Sequence, residues 1–361
     1  MKTMLKKCMI SLLIVTILVS MTACAGANSG RTDKQKKETQ NTRTFTDSVG
    51  RTVELPDEIT KIAPSGVVAQ LILYSLCPER LCGLAMEVPY YADPYIDDKY
   101  KELPVFGQLY GNNANLNIEA LLSAEPDVLI DMGEKKDTIK EDLDEVQEQL
   151  GIPVIFIEAT LPTMAEAYET LGELGIESEQ ADKLAKYCND TLNYAEQQRD
   201  QMVNEIPKTV YLAMGNDGLT TSVQNSIHAD VIETAGGENV VSAEMLSGRT
   251  GNVSYEQLLM WQPDYILVEN YQVYESIKED ELWQELDAVK NDHVYAIPYN
   301  PYSFLNSPPS VNRMIGIWWL GHLLYPDRYT DSIADKIKEF YQLFYHVELQ
   351  DEDCEEILGV Y

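Results

Sequence analysis

The sequence predicts an α/β protein of two lobes, each a parallel sheet with helices packed outside it, joined by one long backbone helix and enclosing a ligand cleft. Three observations predict this. Short apolar runs alternate with longer amphipathic ones, a polar stretch at 178–203 is helical throughout, and one segment occurs twice in the chain. The chain has 361 residues, 45% of them hydrophobic, with 27 Lys+Arg against 59 Asp+Glu and a formal net charge of -32. So acidic a chain has no basic surplus with which to bind nucleic acid or an anionic membrane surface.

The N-terminus is processed rather than folded. Lys2, Lys6 and Lys7 precede an apolar run, Met9–Val19, broken only by Ser11 and Thr16, and Met21-Thr22-Ala23-Cys24 follows. The run is too short to span a bilayer comfortably, so 1–23 reads as a secretory signal. Small residues before a cysteine match a lipobox, with Met21 where Leu is usual, and make Cys24 the lipidated first residue. A plain signal with a chance cysteine is the other reading. The lipobox places the protein on the extracytoplasmic side of the cell membrane, attached through its lipid anchor alone. Residues 24–43 are a polar tether. Eight of the 27 basic and two of the 59 acidic residues precede Thr44, so the part from Thr44 onward carries 19 against 57, a net of -38.

Strands are expected at Ile59–Ala63, Leu81–Ala85, Asp127–Asp131, Val154–Ile157, Thr209–Met214, Tyr265–Val268 and Val294–Ile297. Helices are expected at Val67–Tyr74, Lys136–Leu150, His228–Ala235 and through much of Pro309–Tyr345, where Met314, Ile315, Trp318, Leu320 and Leu323 form an apolar stripe. Between Ser178 and Val203 there is no Pro, no Gly and no strand signal, which gives one helix of some seven turns. The resulting organisation is an N-terminal lobe at 44–175, a connecting helix at 176–205, and a C-terminal lobe with terminal helices at 206–361. Cys77 and Cys82 bracket a turn and either bridge or remain two thiols. No cysteine or histidine spacing suggests zinc.

The repeat is the most informative feature. Leu116–Asp131 aligns without gaps on Val253–Val268, with identities at Glu119/Glu256, Leu121/Leu258, Leu122/Leu259, Pro126/Pro263 and Asp127/Asp264. Asn117 or Ser254 caps a short helix, a glutamate occupies its first turn, two leucines bury, Pro-Asp ends the helix and a buried strand follows. The halves are the same Rossmann-like fold twice, with ligand sites expected near the C-terminal ends of the strands.

TDSVGRTVELPDEITKIAPSG (46–66), the two repeat segments and VIETAGGENVV (231–241) together resemble bacterial ABC-transporter substrate-binding lipoproteins of the iron-siderophore, haem and cobalamin class, also called class III periplasmic binding proteins. The resemblance covers most of Phe45–Tyr345. It implies two rather rigid lobes joined by a single long helix, a shallow cleft and a monomer. It also implies docking of one exposed glutamate per lobe onto arginines of a permease served by an ATPase. By position in the repeat these are Glu119 and Glu256; the other reading is that each only serves its helix dipole, worth under about 1 kcal/mol. No G-x-S-x-G, Walker, G-x-G-x-x-G or H-E-x-x-H pattern occurs, so no catalytic residue is assigned and the chain is not expected to be an enzyme or to carry an intrinsic cofactor.

Loops after the strands supply the candidate ligand-binding residues: Ser65, Tyr90, Tyr91, Tyr110, Asp131, Asn216, His228, Arg249, Tyr271, Tyr299 and Tyr302. Tyrosine is over-used, 22 against 6 Phe, and offers a flat apolar face with a phenol that hydrogen-bonds or ligates ferric iron. In siderophore binders of the resembled family a His at a helix start and a Tyr after the last strand complete iron coordination. His228 with Tyr299 or Tyr302 match, against the alternative that His228 is an ordinary surface residue. His293, His322 and His346 read as structural. Arg249 and Arg313 are the cationic cleft candidates, set against Glu87, Asp131, Glu134, Asp217 and Glu269. That balance disfavours a strongly anionic ligand or a bare oxyanion and favours a neutral or cationic metal chelate, first a ferric siderophore. Haem and cobalamin or other corrinoids are alternatives, the last disfavoured because these loops hold no Trp. A lipid-anchored sensor or adhesin is the alternative of a different class.

Overall fold

A computed structural model of the chain describes residues 41–110 and 114–359. The expected signal segment, Cys24 and most of the tether lie outside the described residues. The described residues form one compact unit. It opens with an antiparallel hairpin, β1 (Thr42–Thr46) and β2 (Thr52–Pro56), which starts inside the segment read as tether. Phe45, Val53 and Leu55 alternate with outward polar residues at period two. The turn is tied down by Arg51, whose guanidinium reaches Asp47 (3.1 Å), the Val154 carbonyl (2.9 Å) and Asp144 (2.7 Å).

The N-terminal sheet is parallel, in the order β3 (Ile62–Pro64), β4 (Val128–Gly133), β5 (Val154–Glu158). These strands are buried on both faces, which is why they read as continuous apolar runs. The expected strand at Leu81–Ala85 does not form; only the bridges Ile62–Leu81 and Leu84–Val105 remain. The amides of Ala85 and Met86 are taken instead by Oε1 of Gln70, at 2.7 and 3.0 Å.

The C-terminal half contributes β6 (Thr209–Ala213), β7 (Thr220–Ser222), β8 (Glu238–Asn239), β9 (Thr250–Asn252), β10 (Tyr265–Val268) and β11 (Val294–Ala296). β11, β10, β6 and β8 form a parallel sheet in that order, and β7 pairs antiparallel with β9 beside it. The long helix, Ser178–Gln201, packs on helices of both halves, burying Leu184, Tyr187, Cys188 and Thr191.

The tail departs from expectation. Arg313–Leu324 is buried around nearly its whole circumference, so it is a central helix and not an amphipathic one. The next helix, Ile333–Phe344, returns to the N-terminal half. There the Tyr74 and Tyr345 rings lie 6.4 Å apart, and His346 Nε2 sits 3.3 Å from the Tyr74 carbonyl. The terminal helices therefore belong to both halves, and the long helix has a second connection beside it. Cys77 and Cys82 are free thiols, the first buried and the second bonded to the Ile62 carbonyl.

The repeat is structurally real. Asn117 caps Ile118–Ser123 by accepting from the Ala120 amide, and Ser254 caps Tyr255–Trp261 in a full capping box with Gln257. The equivalent Glu125 and Gln262 both take left-handed φ, 52° and 44°, ahead of the shared proline. Oδ2 of Asp127 accepts from Thr60 and Lys61, and Oδ2 of Asp264 from the amide and hydroxyl of Thr209, so each aspartate pins the start of the neighbouring strand. Of the paired leucines only Leu121 and Leu258 are fully buried; Leu122 is 38% exposed.

Candidate ligand-binding site

Parallel strands deliver their loops to one edge, and in the N-terminal sheet that edge faces loops of the C-terminal half across a cavity of about 680 Å³. Ser65 follows β3, and Asp131, Met132 and Gly133 end β4. Glu134 and Lys136 follow, and Phe156 comes from β5. Met86, Tyr91, Gln108 and Tyr110 complete this wall. Ile227, His228, Tyr299, Tyr302 and Ser307–Pro309 form the opposite one. Gly107 sets the Gln108–Tyr110 segment: its φ is +84°, and a Cβ there would lie 2.5 Å from the Asn115 carbonyl oxygen.

On the N-terminal wall the Ser65 hydroxyl donates to Asp131 Oδ1, and Asp131 is only 5% exposed. Burial pushes its carboxyl above the usual range, and the Ser65 bond offsets part of that rise. The Tyr110 phenol is buried without a partner among the described residues, and the Lys136 ammonium lies 4.2 Å above its ring centre.

The opposite wall is a rigid loop. Ser303, Asn306, Ser310 and Asn312 are essentially buried. Ser303 Oγ donates to Asn306 Oδ1 (3.0 Å), Asn306 Nδ2 to Glu269 (3.2 Å) and Asn312 Nδ2 to the Tyr302 carbonyl (2.9 Å). This network holds Tyr299 and Tyr302 against the cavity. His228 lies two residues ahead of the helix Asp230–Thr234 instead of opening it. Its Nδ1 is 3.3 Å from the Asn306 carbonyl, the tautomer with a proton there leaves Nε2 as a free acceptor, and burial holds its pKa below the ordinary value. Tyr302 is 1% exposed, its phenol has no partner among the described residues, and burial raises its pKa. The Tyr91 and Tyr299 rings meet edge to face at 5.9 Å, and burial, with Tyr299 beside it, pushes Tyr91 up to about 12.

Seven of the expected residues meet here: Ser65, Tyr91, Tyr110, Asp131, His228, Tyr299 and Tyr302. Arg249 touches the site through Glu134, its Nη1 2.6 Å from Oε1 across the two halves. Tyr90 is 85% exposed and only abuts Tyr91. Asn216 and Tyr271 line a different hollow of about 1100 Å³ within the C-terminal half, beside Trp319 and Glu356–Gly359; it shares Tyr299 and Ser307 with the first. Arg313 is no cleft cation. It is 1% exposed and paired with Asp230 at 2.7 Å. Of the five acids expected in the cleft only Asp131 and Glu134 line the cavity between the halves, and Lys136 stands with them. Met86, Gln108, Lys136 and the Pro308-Pro309 pair were not singled out from sequence; Met86 and Gln108 lie in loops that were. His293, His322 and His346 each face a backbone carbonyl, as expected of structural histidines. Glu119 and Glu256 are exposed in the first turns of their matching helices.

The periplasmic binding protein family profile matches residues 92–301. An ABC transporter solute binding protein from Sulfurospirillum deleyianum is 30% identical, with a TM-score of 0.81 over 88% of this chain and 99% of that one. The molybdate-binding protein MolA of Haemophilus influenzae is 28% identical over 65% of this chain and 71% of its own length. The high-affinity heme uptake system protein IsdE of Staphylococcus aureus is 26% identical over 64% and 78%. With its two parallel sheets, its long helix and a cavity walled by both halves, the chain belongs to the periplasmic binding protein family, the substrate-binding components of ABC transporters.

Proposed function

We propose that the protein is a lipoprotein, anchored through Cys24, that captures a metal chelate in the cavity between its halves and hands it to an ABC importer permease. The first candidate is a ferric siderophore. One observation carries the reading: a neutral imidazole and a buried, unpartnered phenol, His228 and Tyr302, line the same cavity as Tyr299. These donors suit a Lewis-acid metal whose chelate leaves positions open. Charge supports it. Lys136 and the Arg249 pair counter Asp131 and Glu134, leaving little surplus of either sign for a highly charged catecholate. A bare oxyanion such as molybdate would leave most of about 680 Å³ unfilled, whereas the volume is ordinary for a larger organic ligand. Docking is assigned to Glu119 and Glu256, which keep the same register and exposure on both halves.

Haem is the second reading, because Met86 and His228 line the cavity from opposite halves and thioether with imidazole is a haem axial pair. One titration separates the two. A ferric trihydroxamate should raise the melting temperature by mass action and give a phenolate-to-iron absorption band that Tyr302→Phe or His228→Ala diminishes. A Soret band lost in Met86→Ala, with no response to the trihydroxamate, would establish haem instead. Stabilisation by molybdate alone would overturn both.

A further inference from the structure

The N-terminal wall of the cavity is chemically unlike the wall that carries His228. Asp131 is a buried carboxylate that receives the Ser65 hydroxyl on Oδ1. Among the described residues no cation forms an ion pair with it. Lys136 also lines the cavity, but its ammonium lies over the Tyr110 ring. The Tyr110 phenol beside this carboxylate has no partner either. A buried carboxylate with no direct ion pair is costly even with Lys136 nearby, and one open to a cavity is satisfied most strongly by a cationic donor that reaches it. Its direction of titration agrees, since burial outweighs the Ser65 bond, the Met132 amide and Lys136 together. Among the described residues no three His, Cys, Asp or Glu converge as a metal-holding cluster. The aligned position in the second half is Val268, buried and apolar, so Asp131 is not required by the repeated scaffold.

We propose that Asp131, with Ser65 and Tyr110, forms a subsite for a protonated amine, so that the preferred cargo is a chelate carrying an ammonium arm. The inference rests on the reading of this cavity as the chelate site. The metal end faces His228 and Tyr302, and the ammonium arm crosses to Asp131. The carboxylate accepts from the ammonium while the Tyr110 phenol takes a second hydrogen bond to the same arm.

The test is calorimetry with two ferric linear trihydroxamates, identical except that one ends in a free primary ammonium and the other is N-acetylated there. The ammonium form should bind wild-type protein about tenfold to a hundredfold more tightly, the worth of a hydrogen bond to a charged group. D131N should bring that ratio close to one, and Y110F should reduce it less. Equal wild-type affinities overturn the subsite while leaving the siderophore reading intact; so does an undiminished ratio in folded D131N. If neither trihydroxamate binds, the siderophore reading falls and the subsite with it. The wild-type pair decides alone if D131N does not fold.

Discussion

The two copies of the repeat diverge where they approach the cavity. Leu116–Asp131 and Val253–Val268 share a capped helix, a first-turn glutamate, one fully buried leucine, a left-handed residue before proline and an aspartate that pins the adjacent strand. All of this belongs to the scaffold or to the outer surface. At the last aligned position the first copy has Asp131, lining the cavity between the halves, and the second has Val268, packed in the core. Structural positions tolerate only what the packing allows, whereas a strand's C-terminal end is free to acquire chemistry. Duplication therefore preserves the fold and leaves the site asymmetric.

The largest predicted effect concerns the shared core. Leu121 and Leu258 are each 0% exposed at the same register, so Leu121→Ala and Leu258→Ala should each cost about 2–5 kcal/mol by chemical denaturation. A much smaller loss at one site would show that only one copy packs as the alignment implies. The next effect concerns the shared surface. Glu119→Ala and Glu256→Ala should leave ligand affinity unchanged and should each reduce uptake through the cognate permease about tenfold or more, as expected when a charge-assisted pair of ~1.5–3 kcal/mol is lost. Undiminished uptake in the double variant would return both residues to their helix dipoles.

Much of this architecture was legible because parallel sheets bury both faces of their strands. The runs around Val128, Val154, Val210 and Ile266 therefore needed no alternation to be recognised. The long helix was legible because nothing within it breaks it. The hairpin β1–β2 was less so, since half of its side chains face solvent. Arg313 was misread because an arginine beside an expected cleft looks like a ligand contact, and sequence does not display the half-buried Asp230 that claims it. The rigidity of the loop holding Tyr299 and Tyr302 was also hidden: it depends on Ser303, Asn306 and Asn312, polar residues that in a linear reading look like solvent-facing loop. Seven candidate residues line one cavity: Ser65 and Asp131 stand at strand ends, Tyr91 and Tyr110 were reached through the abundance of tyrosine in the loops, and His228, Tyr299 and Tyr302 through the family resemblance as well. Asn216 and Tyr271 occupy equivalent strand ends but open onto the neighbouring hollow.

The smallest predicted effect comes from a second contrast between the halves, in how each handles a buried arginine. Arg51 is fully employed, with Asp47, Asp144 and backbone carbonyls around it. Arg313 has Asp230 and the Ser310 carbonyl, while Asp230 Oδ1 and both Glu233 oxygens are buried without hydrogen-bond partners among the described residues. Burial raises Glu233 to about 7 and Asp230 to about 6, the latter against the pull of Arg313. An acid with a raised folded pKa binds its proton more tightly in the native state than in the unfolded chain. From Glu233, stability is therefore gained as pH falls from about 7 toward the ordinary value of 4.5 and lost as pH rises through that window. General relief of the acidic surface acts in the same direction, so the informative quantity is a difference between proteins. Wild type should lose more melting temperature than Glu233→Gln between pH 5 and pH 8, by on the order of 2 °C. Identical pH profiles would mean that Glu233 is hydrated and that the contrast with the saturated Arg51 cluster carries no energetic weight.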